Sequence, residues 1–526
     1  MLTGGGNLKG RAWLTGVAGA ALCAAPAAAD TLKDALVQAY GTSPVLAGAR
    51  AQLRSIDEGV PIAKANSRVQ VSGTLGVTQS TDGLTTFQNG GRVLTGGVNL
   101  SYPVFQGGRV RNAINAAEAR VIAGRADLRT SEGNLFTQAV SAYMNVIRDQ
   151  SVVELNASNV RVLETNLRAS RDRFQVGDLT RTDVAQSEAR LAIARSQLAT
   201  AQGNLTGSRE TYRQVIGKWP EKLDQPPPLP KLPATADEAV QIALSNAPSI
   251  ASVTASTQAA GYDVRTATAA RLPVFSVTGG TSYSDYLNTR AQSAGQSKEQ
   301  NYLFDQTVGQ NRIGLSMTIP LYQGGSVSAR VRQAQALENA ALEQGIDVER
   351  RVIATTRAAY ANFLAAGEAI KGNQQAVSAN RLALEGARAE NTAGTRTVIE
   401  VLNAEQEYLN AQVALVTAQR DQYVAGFALL NAMGQAQADV LNLDGGAALY
   451  DPVANYTRVR NRFGDWSDNG KYHSTSVHTT GETPQDADVQ PLTPDPLLGT
   501  DGSVAAMPAP AGAAVPNPAN VTRPPQ

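Results

Sequence analysis

Tyr102-Pro103-Val104-Phe105-Gln106-Gly107-Gly108 returns as Ile319-Pro320-Leu321-Tyr322-Gln323-Gly324-Gly325, 217 positions later. The same offset carries Gly177 onto Gly394, Thr180 onto Thr397, Val184 onto Val401, Glu188 onto Glu405 and Ile216-Gly217 onto Met433-Gly434, with no gap. Upstream the offset is 204, which places Ala35, Ala39 and Pro44 on Ala239, Ala243 and Pro248. The 13-residue difference between the two offsets requires an insertion between Leu272 and Ile319. The chain is therefore one long unit duplicated in tandem, and a fixed-period repeat outranks local propensity in deciding the fold.

Within each unit the apolar period changes. Thr31 to Ser67 reads as helix in two pieces, broken around Gly41 to Pro44. Val69, Val71, Leu75 and Val77 then alternate with polar residues, as do Leu94, Val98, Leu100, Tyr102 and Val104. A polar loop, Ser80 to Gly91, joins the two runs into an antiparallel hairpin with one apolar face. The second unit repeats it with Phe275, Val277 and Tyr283, then Ile313, Leu315, Met317, Ile319 and Leu321, around a longer loop from Leu287 to Gln310. Strands of roughly ten residues, apolar on one face and small or polar on the other, fit a membrane barrel. Four strands cannot close one, since about eight is the usual minimum, and an open edge in lipid leaves backbone groups unpaired. Closure then requires several chains.

A long helical stretch follows each hairpin. Gly108 to Val176 holds no proline, and Ile114, Val121, Leu128 and Leu135 recur at seven. After a four-residue slip the stripe resumes at Val146, Val153, Val160, Leu167 and Phe174. Gly177 breaks the helix, and the chain returns with Val184, Leu191, Leu198, Leu205 and Tyr212. The second unit has Phe363, Ile370, Val377 and Leu384, then Val401, Tyr408, Leu415 and Leu429. Sustained heptads with polar flanks predict long antiparallel coiled-coil helices.

The bulk numbers agree with a non-enzymatic, exported chain. Its 46 basic and 45 acidic residues give a net charge of +1, so no global field attracts nucleic acid. Lys9, Arg11, the apolar run Trp13 to Ala25 and Ala27-Ala28-Ala29 read as a secretory signal over residues 1–29. The one cysteine, Cys23, lies inside it, and the two histidines, His473 and His478, lie at the start of a terminal tail. No Cys or His is left in the predicted folded part to build a structural metal site or a Ser-His or Cys-His pair, so neither enzyme, metal nor cofactor is expected. The domain plan is a signal at 1–29, a first repeat at 30–217 and a Pro-rich linker at 218–234. The first repeat holds strands about 68–79 and 92–105 and a helical hairpin at 108–216. A second repeat at 235–434 holds strands about 272–286 and 311–322 and a helical hairpin at 325–433. An extension at 435–466 and a disordered tail at 467–526 complete it, the tail holding ten of the 24 prolines.

These features resemble the TolC family of outer-membrane channel proteins over residues 30 to 434. The most specific match is Gly394-Thr395-Arg396-Thr397-Val398-Ile399-Glu400-Val401-Leu402-Asn403-Ala404, with its sister Val176-Gly177-Asp178-Leu179-Thr180-Arg181-Thr182-Asp183-Val184. The resemblance implies a mostly α fold with β and a homotrimer. Each chain would give four strands to a 12-stranded barrel above a helical tunnel, in the outer membrane with its helices in the periplasm. It implies a passive exit duct for a tripartite efflux pump or type I secretion. The implied partners are outer-membrane lipid, a periplasmic adaptor and an inner-membrane transporter of ABC, RND or MFS type.

Carried over residue by residue, Asp183, Thr182 and Arg396 correspond to the periplasmic gate link. Glu400 and Asn403 correspond to two acidic constriction positions, the second here uncharged. Asn391 stands where a tyrosine is common. Gly177, Asp178, Thr180, Gly394, Thr395 and Thr397 form the hairpin tips that would meet an adaptor. Pro103, Gly107, Gly108, Pro320, Gly324 and Gly325 form the strand-to-helix motif. Physical chemistry agrees: an exposed Arg–carboxylate pair contributes only about 0–1 kcal/mol, which suits a latch. Three Glu400 carboxylates around one axis would repel, raising their pKa values and favouring a bound cation. The competing expectation is a soluble periplasmic coiled-coil scaffold or adaptor, which would lack membrane insertion.

Overall fold

The computed structural model describes residues 30–79, 92–287, 307–443 and 449–474, with isolated positions beyond. The expected signal, the loop 80–91, most of the insertion and nearly all of the expected tail lie outside those residues. The first unit opens with α1 (Leu32–Thr42), α2 (Pro44–Asp57) and α3 (Gly59–Ala65). Strands β1 (Gln70–Gln79) and β2 (Arg92–Gln106) follow, then α4 (Arg109–Gln175) and α5 (Arg181–Ile216). The second unit has α6 (Ala236–Asn246), α7 (Pro248–Thr268), β3 (Val274–Asp285), β4 (Thr307–Thr318), α8 (Ser326–Thr392) and α9 (Val398–Ala432). A short α10 (Ala454–Val459) lies in the C-terminal extension.

The opening helical segment has three pieces where the sequence predicts two. Ser43 caps α2 through its Oγ, which accepts from Leu46 N at 3.4 Å, with Pro44 at the first helical turn. A second interruption at Glu58, invisible to the apolar period, separates α2 from α3. The ends of the sheet also move. β4 begins at Thr307, so Thr307 to Gln310 belong to a strand and not to the loop, because they pair with Asp285 to Ser282. It ends at Thr318, short of the predicted 322, where its partner β3 begins at Val274 and Pro320 has no N–H to extend the ladder.

The four strands form one antiparallel sheet in the order β1-β2-β3-β4. Registers Val71↔Leu100, Tyr102↔Val277 and Val277↔Leu315 place one set of apolar side chains on a single face. That face is bare: Leu75 is 82% exposed and Ile313 90%. The other face carries Ser72, Thr74, Asn99, Ser101, Thr278, Ser282, Gln310 and Ser316, with Arg312. A shift in pairing between Pro103 and Phe105 accommodates the proline in β2.

Both long helices, α4 and α8, have 67 residues, on the order of 100 Å at about 1.5 Å per residue. Each starts from a left-handed glycine, Gly108 (φ 79°) or Gly325 (φ 78°), a conformation that L side chains adopt at a cost. The main core is a waist half-way along the rods. There Leu36 and Ala39 of α1, Phe136, Val140 and Tyr143 of α4, Tyr212 and Ile216 of α5, and Phe427, Leu429 and Met433 around α9 are buried together.

The waist contains a duplicated lock. The Tyr143 hydroxyl donates to the carbonyl of Asp224 at 2.7 Å, with the carbonyl of Asp30 at 2.9 Å. Tyr360, the same residue one repeat later, donates to the carbonyl of Ala234 at 2.6 Å. Asp30 and Ala234 are themselves related by the 204 offset, so each tyrosine ties the entry of its own unit to the middle of its own rod.

Candidate functional site

The two hairpin tips are built alike. Gly177 (φ 82°) and Gly394 (φ 78°) end the outgoing helices in left-handed turns. Behind them Asp178 N donates to Arg173 O at 2.9 Å and Thr395 N to Glu390 O at 3.0 Å, the six-to-one closure of a Schellman cap. The returning helices start with Thr180 and Thr397. Asp183 accepts from Thr180 N at 3.0 Å and from its Oγ1 at 2.7 Å. Glu400 accepts from Thr397 N and Oγ1, both at 3.0 Å. Asp183 and Glu400 are one repeat apart, and each closes a capping box that satisfies otherwise orphaned N–H groups.

This geometry changes the roles expected of those residues within a single chain. Arg396 pairs with Glu390 at 2.9 Å and approaches Glu400 at 4.0 Å, both in its own tip. No hydrogen bond or ion pair joins it to Asp183 among the described residues, so the Asp183–Arg396 link is not made inside one chain. Thr182 lies in the first turn of α5, and Asp178 pairs with Arg173 at 2.7 Å. Asn391 donates to Arg396 O at 2.7 Å and staples the second tip in place of an aromatic hydroxyl. The Glu400 carboxyl is held below the usual glutamate range by the backbone N–H and then the hydroxyl of Thr397, with Arg396 adding to the effect. Inside one chain the pull on this group is thus opposite to the mutual repulsion expected of three copies.

What joins the two hairpins is a set of residues of which only Asn403 was an expected site residue. Glu405 on α9 is buried, accepting from Asn166 of α4 at 2.9 and 3.1 Å and from Arg388 of α8 at 2.9 Å. Arg190 on α5 donates to Asn403 on α9, so the uncharged Asn403 serves as an acceptor between the two repeats of one chain. Nearer the waist, Arg420 of α9 reaches Asn145 at 2.8 Å and Ser141 at 3.2 Å on α4. A signal for Glu405 existed: Arg171–Glu188 recurs as Arg388–Glu405, each pair 17 residues apart. The first-copy pair forms too, at 2.9 Å.

The strand-to-helix motif is a joint. A side chain at Gly107 (φ 61°) would meet Leu272 Cβ at 2.5 Å, so both space and dihedral require glycine there. Gly324 shares the dihedral (φ 62°) but faces open space. Among the described residues no helix is long and apolar enough to cross a membrane, and no group of His, Cys, Asp or Glu is placed to hold a metal ion.

A bare apolar sheet face, backed by a polar one and joined to long rods of matched length, defines a class: a membrane channel whose wall is strand and whose extension is helix. The chain belongs to the outer membrane efflux protein family, whose sequence profile matches residues 35–218 and 239–435. Those two segments start 204 and end 217 positions apart, the offsets of the internal repeat. The chain is 34% identical to the outer membrane efflux protein BepC of Brucella suis over 448 residues, covering 85% of this chain and 94% of that one. It is 29% identical to the outer membrane protein TolC of Escherichia coli over 337 residues, 62% of this chain and 66% of that one. The fold matches the outer membrane protein VceC of Vibrio cholerae with a TM-score of 0.64, at 21% identity, over 77% of this chain and 96% of that one. It matches the CmeC outer membrane channel of Campylobacter jejuni with a TM-score of 0.66, at 17% identity, over 82% and 89%. The protein is an outer-membrane channel of the efflux or type I secretion kind.

Proposed function

We propose that three copies close a 12-stranded barrel in the outer membrane and a helical tunnel beneath it. The duct is passive, and the hairpin tips gate its periplasmic end. The tips dock a periplasmic adaptor that joins the duct to an inner-membrane transporter of ABC, RND or MFS type. The observation that carries this reading is the sheet: four strands in sequential order, with β1 and β4 at its edges facing no further strand among the described residues, and a bare apolar face. Left in water, each exposed Leu, Ile or Val side chain forgoes roughly 1.5–3 kcal/mol. Left open in lipid, the edges forgo their hydrogen bonds. A closed ring of copies removes both penalties.

The duplication also gives the seam. Applying the repeat offsets to the β2–β3 register, where Ser101 pairs with Thr278, puts Thr318 opposite Thr74 of the next copy. In that register Met317 faces Leu75 and Leu315 faces Val77, so the apolar faces remain continuous. Asp183 and Arg396 become a latch between copies, and Glu400 with Asn403 lines a constriction that is less acidic than one with two carboxylates.

The test uses the exported chain, whose one cysteine lies in the expected signal. Thr74→Cys with Thr318→Cys gives covalent trimers on mild oxidation, because directly opposed strand residues lie within disulfide reach. The same protein in planar bilayers conducts in small steps that trivalent cations block from one side. Asp183→Ala with Arg396→Ala raises the step size. Unchanged steps in the double variant remove the latch, and folded protein that never inserts removes the channel in favour of a soluble scaffold.

A further inference from the structure

Residues 449–474 lie beyond the matched family segments, yet they pack against the body of the molecule. The inner side of this segment is fixed. Val459 is fully buried, Asn455 donates to Asp57 at 2.7 Å, and the Tyr456 hydroxyl meets Glu118 at 3.3 Å. Lys64 of α3 donates to Arg460 O at 3.1 Å. Arg68, two residues before β1 begins, donates to Arg462 O at 2.6 Å. The segment therefore climbs α3 and turns at the foot of the sheet.

Its outer side is unusual for a surface in water. Trp466 is 100% exposed, Phe463 and Tyr472 are mostly exposed, and Phe463 lies beside Arg68, whose guanidinium is 5.4 Å from its ring. Arg458, Arg460, Arg462 and Lys471 accompany these rings, against Asp465 and Asp468. Lys64 and Arg68 add two further cations from the body. The exposed apolar stripe that runs into β1 starts at Val69 and Val71, one and three residues past Arg68, which at about 3.3 Å per residue puts Arg68, the residue beside Phe463, within roughly 10 Å of the apolar band. Amphipathic rings flanked by Arg and Lys at that height are the composition of a membrane–water interface.

We propose that residues 453–474 form an interfacial anchor: Phe463 and Trp466 enter the headgroup region of the periplasmic leaflet around the barrel, and the Arg and Lys side chains meet anionic phospholipid headgroups. This rests on the channel reading above. It assigns the segment a lipid partner that the duct itself does not require. The barrel is held by its strands, and the anchor fixes the height and tilt of the waist below it.

The chain holds three tryptophans, Trp13 in the expected signal, Trp219 and Trp466. In the exported trimer carrying Trp219→Phe, Trp466 is then the reporter. The protein is placed in phosphatidylcholine vesicles with and without phosphatidylglycerol, and with doxyl groups either high or low on the acyl chain. The expected result is a blue-shifted emission, quenched more by the high doxyl position than by the low one, more strongly with phosphatidylglycerol, and largely protected from acrylamide. A second variant, Leu75→Trp with Trp219→Phe and Trp466→Phe, reports insertion of the sheet alone. If its tryptophan is quenched by lipid while Trp466 is quenched only by acrylamide, the anchor is wrong and the channel stands. If Trp466 is shielded from both quenchers, a neighbouring copy covers it and the lipid assignment is overturned. If the Leu75→Trp reporter escapes lipid quenching, the channel reading itself fails.

Discussion

The two long helices have the same length, the same glycine start and the same capped tip, but different surroundings. α4 has 23 buried residues and α8 has six. α4 is packed by α1, α2, α3, α5, α7 and α9, so both its sides are covered within one chain. α8 touches α6, α7 and α9 and leaves Leu337, Leu364 and Leu382 more than half exposed. Local sequence thus fixes local form in both copies, while burial depends on what the rest of the chain brings alongside. The bare side of α8 and the bare edge of β4 belong to the same half, which offers more uncovered surface to the proposed assembly than the half built on α4.

The sharpest test of this contrast is the repeated ion pair. In Arg171–Glu188 the acid side chain is 38% exposed, whereas in Arg388–Glu405 it is 4% exposed. Glu405→Ala strands Asn166 and Arg388 between the hairpins. Discounted for the half-exposed arginine, the expected loss is about 1–3 kcal/mol, read as a lower thermal midpoint of the trimer. Glu188→Ala costs under about 1 kcal/mol. Equal shifts would mean that the copies are equivalent after all.

A smaller difference is expected at the waist. Tyr143→Phe removes the hydroxyl donor from the Asp224 carbonyl and leaves the Asp30 carbonyl with Asp224 N alone, whereas Tyr360→Phe removes the donor from the Ala234 carbonyl. Each change is worth about 1 kcal/mol, with Tyr143 the larger, and hydrogen exchange at 30–36 and 234–240 separates them.

The smallest effect is at the second tip. Thr397 holds Glu400 below its ordinary pKa, so its stabilising contribution is present above the unfolded carboxyl pKa and fades as pH falls through the lower folded value. Acid fraying at the start of α9, followed by amide exchange, should therefore begin below the ordinary glutamate range. Thr397→Ala should move it upward. A wild-type onset already above that range would show that repulsion between copies overrides the cap.

Much of this was legible in the chain because it is written twice. The glycine pairs, the tip caps and the alternating strands follow from short-range chemistry, and the repeat confirms each against its sister. The end of β4 was misplaced because Ile319 and Leu321 continue the alternation past the point where β3 has a residue left to pair. The break at Glu58 left no mark in the apolar period. The proposed Asp183–Arg396 pairing is not made within a single chain, where both side chains have partners in their own tips. Glu405 repeats visibly, but its burial comes from Asn166 across the hairpins, and no spacing in sequence predicts that neighbour.

The tyrosine lock has a mechanical consequence. Tyr143 and Tyr360 hold their rods at the same point, and 32 residues of helix run beyond each one to Gln175 and Thr392. That is an arm of about 48 Å. A swing of about 10° at the waist carries a tip through roughly 8 Å, close to the diameter of a helix. The duplicated halves are levers of equal arm about one fulcrum, so in the proposed duct a small rotation at the waist would become a large displacement at the tips while the strands stay still.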